Sequence, residues 1–430
     1  MDFQGLSIDQ APPISAPLRF FITAPIFGLL AGLFLLFSDA SLVLNRYSLE
    51  SVVVTHLITI GFFGFVMLGA LTQMLPVIAG ATIANAKGVA AFSHTLLVVG
   101  VLSMVIGLSG GSGLFLWLAL SFLGLGFFVI ILRMLYAIYN VKHFTPSIKG
   151  MAVSLVFALF VVSMGIYLLY GHTVMDLSAF HMTLVNIHSV WGIFGFAGIL
   201  IVAVAYQVLP MFYVAPHFHT LYKRIFVYLI GVALILWMGF NLFVPQYAIF
   251  AKVLITLLFV IFALTVWRKL DKRKRPVSDI TVWYWRSAML FLIVGVTLWL
   301  ADEFFDHHYI VMVALFIGIG FILSVISGML YKIVPFLVWF HLNAAGYMTI
   351  PTMNEMIKKK YARLQFVLFL VALGGFVMSF YMPFLLKPSA ALFVASMVIL
   401  EYNILSAVWI YKETKKRKPD FDMSAFSMQN

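Results

Sequence analysis

The sequence predicts an all-α integral membrane protein of about twelve spanning helices, and three observations carry that prediction. Of 430 residues, 63% are hydrophobic and 10% charged, with a mean hydropathy of +1.08, far outside the range of a water-soluble domain. Apolar stretches of about 20 residues recur along the whole chain, the length of a spanning helix, whereas a transmembrane barrel would show alternating segments of roughly ten. Basic residues gather in short runs between those stretches, as in loops retained on one side of a membrane.

The elements follow in order. The first span is read at 17–37, behind MDFQGLSIDQAPPISA, an acidic, proline-containing segment unlike the basic head of a cleaved signal. The second, 51–78, carries His56 near one end and Gln73 near the other, and spans at 91–110 and 113–139 complete the first third. Lys142 and Lys149 precede the fifth, 150–171, and the sixth runs 179–209. Lys223 and Arg224 open the seventh, 223–243, and the eighth, 246–267, ends in RKLDKRKR. The ninth, 283–301, begins with Trp283, Tyr284 and Trp285, read as an interfacial aromatic belt. The tenth is placed at 308–338, the eleventh at 362–384 behind KKKYAR, and the twelfth at 389–411 ahead of KETKKRK.

With this count every basic cluster falls on one side. Asp39, Glu50, Asp176, Asp302, Glu303 and Asp306 fall on the other. The positive-inside rule then puts both termini in the cytoplasm and the chain in an inner (plasma) membrane. The net charge of +12 thus reports topology and not a nucleic-acid partner. No cysteine occurs, which excludes thiolate metal sites, iron–sulfur clusters and covalently attached haem. No stretch is long and polar enough for a separate soluble domain, so residues 1–430 are read as one membrane domain.

An internal repeat divides that domain. Gly69-xxx-Gln73-xx-Pro76 recurs as Ala203-xxx-Gln207-xx-Pro210 and Gly328-xxx-Lys332-xx-Pro335, near the basic ends of the second, sixth and tenth spans. Three four-helix units follow, at approximately 17–140, 150–267 and 283–412. The small residue permits close helix approach, and Gln or Lys is expected to satisfy carbonyls released ahead of proline.

The histidines sort by depth. His94, His143, His217, His219 and His341 lie near the basic side, where a solvated or interfacial role is the plain reading. His56, His172, His181, His188, His307 and His308 all lie toward the opposite side. An ionisable residue within a spanning helix is costly and usually faces the bundle interior. His56 and His188 stand roughly 30 and 33 Å from their repeat prolines, at comparable depth. On a helical wheel of about 100° per residue, His56 and His308 point to one flank of their helices and His181 and His188 to the other, as convergence on one pocket requires. Neutral imidazole there is a ligand for haem iron or copper, and an interhelical hydrogen bond is the competing use. Glu401 and Lys252, within the last and eighth spans, are candidates for a proton or charge relay. Structural pairing is the alternative for both, and for Lys252 so are snorkelling and contact with a haem propionate. Lys332 and Arg133 read as interfacial, and the abundant Phe and Met as bundle filling.

Twelve helices in three units, with histidines toward the outer ends of the second, sixth and tenth, resemble the catalytic subunit I of haem-copper oxidases, a superfamily that includes nitric oxide reductases. THLITIGFFGFVMLGALTQMLPVIAG is also similar to the histidine-plus-GF opening of the NnrS family of haem membrane proteins linked to nitric oxide. The resemblance implies b-type haem, with copper or another transition metal as a further cofactor. By it, His56 is a haem ligand, His188 or His181 a copper ligand, and His307 or His308 lies in the tenth-helix ligand region. His56, His188 and His308 are accordingly the cofactor-binding candidates, and His181, His188 and His307 the metal candidates. The chain departs from the oxidases in having adjacent histidines on the tenth span in place of HxH, and none in NLFVPQYAIF after the seventh. The resemblance further implies electron transfer or nitric oxide or oxygen chemistry, with a separate electron donor or quinol and a diatomic gas as ligand. Proton-coupled transport is the alternative for a twelve-span protein with repeats and buried charge.

Overall fold

A computed structural model describes residues 10–174, 179–275, 279–305 and 309–421. Twelve of its helices are long and apolar enough to cross a bilayer. In chain order they are α1 (Ser15–Phe37), α2 (Leu49–Ile78), α3 (Ala86–Leu108), α4 (Gly113–Tyr139), α5 (Pro146–Val174), α6 (Phe180–Tyr213), α7 (Thr220–Phe243), α8 (Pro245–Asp271), α9 (Ile280–Phe304), α10 (Ile310–Ala344), α11 (Lys359–Met378) and α12 (Pro383–Thr414). The protein is an all-α, multi-pass membrane protein. Its outward faces carry rows such as Leu229, Val232, Ile235 and Leu236 on α7, and Leu254, Leu257, Ile261 and Leu264 on α8. Such a surface is compatible with lipid and not with water.

Burial separates the helices into two classes. The most apolar windows of α2, α6 and α10 are 67%, 72% and 67% buried, against half or less in the other nine. These three helices therefore form the centre, and the others wrap them, closing where α1 packs against α12.

The three central helices share a local distortion. Each contains a wide-turn π-helical segment, at Leu57–Gly64, Trp191–Gly198 and Leu315–Leu323. Each segment ends nine residues before Gln73, Gln207 or Lys332. Within the segments Gly61, Gly195 and Gly320 occupy the same position of the repeat and meet Phe27, Phe157 and Phe291 of α1, α5 and α9. Seven residues earlier on those outer helices, Phe20, Gly150 and Tyr284 meet Gly69, Ala203 and Gly328. One packing arrangement is thus made three times. On the axis between the three helices lies a small apolar cavity of about 60 Å³, lined by Met67, Ala70, Ile201, Val204, Ile326 and Met329 among others.

The repeat proline bends no helix to a stop: α2, α6 and α10 all continue past it. The expected service of Gln or Lys to the freed carbonyls is not seen. Neither Gln73 nor Gln207 donates to a carbonyl among the described residues, and Gln73 Oε1, an acceptor, is itself buried without a partner there. Lys332, near the basic end, reaches Asp279, the residue that caps α9. The ends of α2 and α6 match again, with Gly80 (φ 63°) and Val214 (φ 53°) at equivalent positions in the left-handed region.

The aromatic belt also needs correction. Trp283 is half exposed, but Tyr284 and Trp285 are buried. The Tyr284 hydroxyl donates to Gln365 Oε1, which also accepts from Tyr331, while Gln365 Nε2 donates to Ser396 and Asn403 Nδ2 to the Tyr331 hydroxyl. This network ties α9, α10, α11 and α12 together at the basic end, leaving Asn403 Oδ1 buried without a partner among the described residues.

Candidate functional site

The half of the bundle away from the basic loops holds a cavity of about 760 Å³, in the size range of cofactor and ligand sites. It lies at the end opposite the basic loops and is bordered by the π-helical segments of all three central helices. Such segments widen the helix and re-aim the residues beside them.

His56 is the last residue before the first segment, and His188 stands three residues before the second. Their rings are nearly parallel, with planes 24° apart and centres 6.2 Å apart. Each ring is oriented by a backbone carbonyl. His56 Nδ1 donates to Val52 O at 2.8 Å, one turn back on its own helix. His188 Nδ1 donates to Val161 O at 3.0 Å, across on α5. A carbonyl only accepts, so both Nδ1 atoms carry the proton and both Nε2 atoms keep a lone pair. Both residues line the cavity, and a backbone carbonyl behind the distal nitrogen is a common support for a metal-binding imidazole. Gly165 of α5 leaves room for the His188 ring, since a Cβ there would lie 3.0 Å from its Cε1.

The remaining polar groups stand nearer the outer mouth. His172, at the end of α5, and His181, at the start of α6, meet edge to face with centres 5.4 Å apart. Arg46, in the connection between α1 and α2, donates to Asn186 Oδ1 of α6. Lys252 of α8 forms an ion pair with Glu303 at 2.6 Å and lies 5.0 Å from the Trp299 ring centre. All of these side chains line the same cavity.

The sequence candidates therefore divide. His56, His188, His181 and Lys252 share one cavity. His307 and His308 lie outside the described residues. Glu401 is not part of the cavity wall; its Oε2 is buried in α12 without a partner among the described residues. Its relay role therefore gains no connection to the cavity. Of the basic-side histidines, His94 bonds Thr23 at 2.8 Å between Phe20 and Phe65, and His219 caps α7. Sequence reasoning missed Arg46, Asn186 and the pairing of His172 with His181. It also missed the π-helical segments, although a Gly-Phe pair at 61–62, 195–196 and 320–321 stands twelve residues before each Gln or Lys.

The two imidazoles can be tested against a metal between them. With metal–nitrogen bonds of about 2.0–2.1 Å, two imidazoles on opposite sides of one ion have ring centres about 6 Å apart. The pair fits that separation. Beside it, Gly318 of the third segment lines the cavity, and a Cβ added there would meet nothing within 4 Å. A flat group between the rings thus has free wall to lie against. Among the described residues no three His, Asp or Glu side chains converge on one point.

Fold and site together define a twelve-helix membrane protein with a half-buried pair of oriented imidazoles in a cavity opposite the basic loops. Comparison with protein-family models and with curated proteins returns no match.

Proposed function

We propose that the chain binds one b-type haem between His56 and His188 and serves membrane electron transfer, in a relative of the oxidase and nitric oxide reductase superfamily. One observation carries the reading. Two imidazoles from equivalent helices of different repeat units line one cavity, nearly parallel and 6.2 Å apart, each with Nδ1 committed to a carbonyl and Nε2 left as a ligand. Haem supplies one-electron chemistry when bound, at a potential set by its axial ligands, their hydrogen bonds and burial.

The chain's own residues would do the rest. His56 and His188 would hold the metal through their free Nε2 atoms and help to exclude water from it. Val52 O and Val161 O keep each ring in the ligating tautomer. Arg46 and Lys252 at the mouth suit the carboxylates of a porphyrin. Val313 and Leu315 of α10 occupy the repeat positions equivalent to His188 and His56. This favours a site between the first and second units. Electrons would come from a separate donor or from quinol. The basic loops favour a plasma membrane with both termini cytoplasmic.

An absorption spectrum of the purified protein is the test. A Soret band is expected, lost in His56→Ala and His188→Ala and kept in His219→Ala. A colourless preparation from haem-replete cells would sink the reading. Proton-coupled transport draws support from the Lys252–Glu303 pair in the same cavity; substrate-dependent proton uptake by haem-free protein in vesicles would favour it.

A further inference from the structure

We propose that His172 and His181 form a second metal site at the cavity mouth, separate from His56 and His188, that takes one late first-row transition ion, zinc(II) or copper(II). The proposal does not rest on haem binding.

The two residues come from the facing ends of consecutive helices, which brings their rings edge to face with planes 79° apart. His181 is only 5% exposed. His56, His94 and His188 each commit a ring nitrogen to a protein group. His172 and His181 instead make only their mutual ring contact among the described residues. Neither residue has a ring nitrogen among the buried atoms left without a partner, and both side chains line the cavity, so their free nitrogens open onto space an ion could enter.

Ring separation distinguishes the two pairs. On one ion, imidazoles at a tetrahedral angle have ring centres about 5 Å apart, and imidazoles on opposite sides about 6 Å. The 5.4 Å of His172 and His181 fits the bent arrangement, and the 6.2 Å of His56 and His188 fits the straight one. A bent two-imidazole site leaves two positions open to water or a small solute at the mouth. Imidazole in a chain without cysteine suits zinc and copper among the common ions.

Cobalt(II) is the probe, because tetrahedral coordination gives it intense visible bands. The full-length protein, stripped with chelator in detergent and carrying His217→Ala and His219→Ala to remove two exposed histidines just before Thr220 that could compete for metal, is titrated with cobalt(II) and then zinc(II). We expect one cobalt per chain with tetrahedral bands, displaced by zinc. The bands should survive His56→Ala with His188→Ala. His172→Gln or His181→Gln, which keep size and polarity, should weaken binding by 10-fold or more. Lack of tetrahedral bands in the parent protein overturns the proposal without any appeal to variants. Equal binding by the His172→Gln/His181→Gln protein, or loss of the bands on His56→Ala, overturns it as well. A missing Soret band, by contrast, bears only on the haem reading.

Discussion

Adding one methyl group to Gly61, Gly195 or Gly320 tests the threefold packing directly. A Cβ on Gly61 would lie 2.5 Å from Phe27 Cγ and 2.6 Å from its Cβ; on Gly195, 2.6 Å from Phe157 Cδ1; on Gly320, 2.8 Å from Phe291 Cβ. A phenylalanine Cβ is tied to its backbone, so no rotamer change clears the first and third of these contacts. Overpacking of this kind costs about 1–3 kcal/mol. Alanine recovers up to about 1 kcal/mol of helix propensity, which leaves each variant about 0–2 kcal/mol less stable. Gly318→Ala is the control, because its Cβ meets nothing within 4 Å and gains propensity alone. Thermal unfolding in one detergent, followed by loss of monodisperse protein, should rank the three variants below the parent and Gly318→Ala at or above it. If Gly61→Ala is as stable as Gly318→Ala, or if only one of the three loses stability, the equivalence of the three contacts is wrong.

Two further outcomes follow from the loops. Val214 holds a left-handed φ of 53° and is 47% exposed, so Val214→Gly should stabilise the protein by about 1 kcal/mol, the relief of an αL penalty, read as a higher melting temperature. Burial alone would raise the Asp279 pKa, but the Lys332 ammonium and hydrogen bonds from Lys332 and Thr281 prevail and hold it below the usual carboxylate value. A lowered folded pKa gives stability that is present above the unfolded value of about 4 and lost as pH falls through the folded one. Lys332→Met should therefore move the onset of acid unfolding to higher pH, and an unchanged acid limb would refute the pairing.

The spans were legible because length and apolarity alone define them. The repeat was legible at Gln/Lys-Pro because those residues stand out in apolar helices. The direction of the histidines was harder. A wheel of 100° per residue assumes a regular α-helix, yet a π-helical segment lies between each histidine and its reference residue. At about 4.4 residues per turn, eight residues accumulate an error of roughly 140°. The absolute directions of His56 and His188 were therefore unreadable. Their relative direction survived, because both helices carry the same distortion in the same register. Lys252 could not be matched to Glu303 beforehand, since they lie on different helices 51 positions apart and nothing local links them. The burial of Tyr284 was hidden for a related reason: Gln365, on another helix 81 positions away, takes the hydroxyl proton that an interfacial tyrosine would give to water.

The threefold register has an implication for how such sites arise. The positions equivalent to His56 and His188 are Val190 and Val313 in the cleft between the second and third units, and Leu315 and Val54 in the cleft between the third and first. All four line the same cavity. A pair of imidazoles is therefore a movable fitting on this scaffold. Two point substitutions would install it in either vacant cleft, and two more would erase it from the first. The three clefts are thus equivalent in backbone and differ at these positions only in side chain, so a pair of imidazoles could be moved between them without rebuilding a helix.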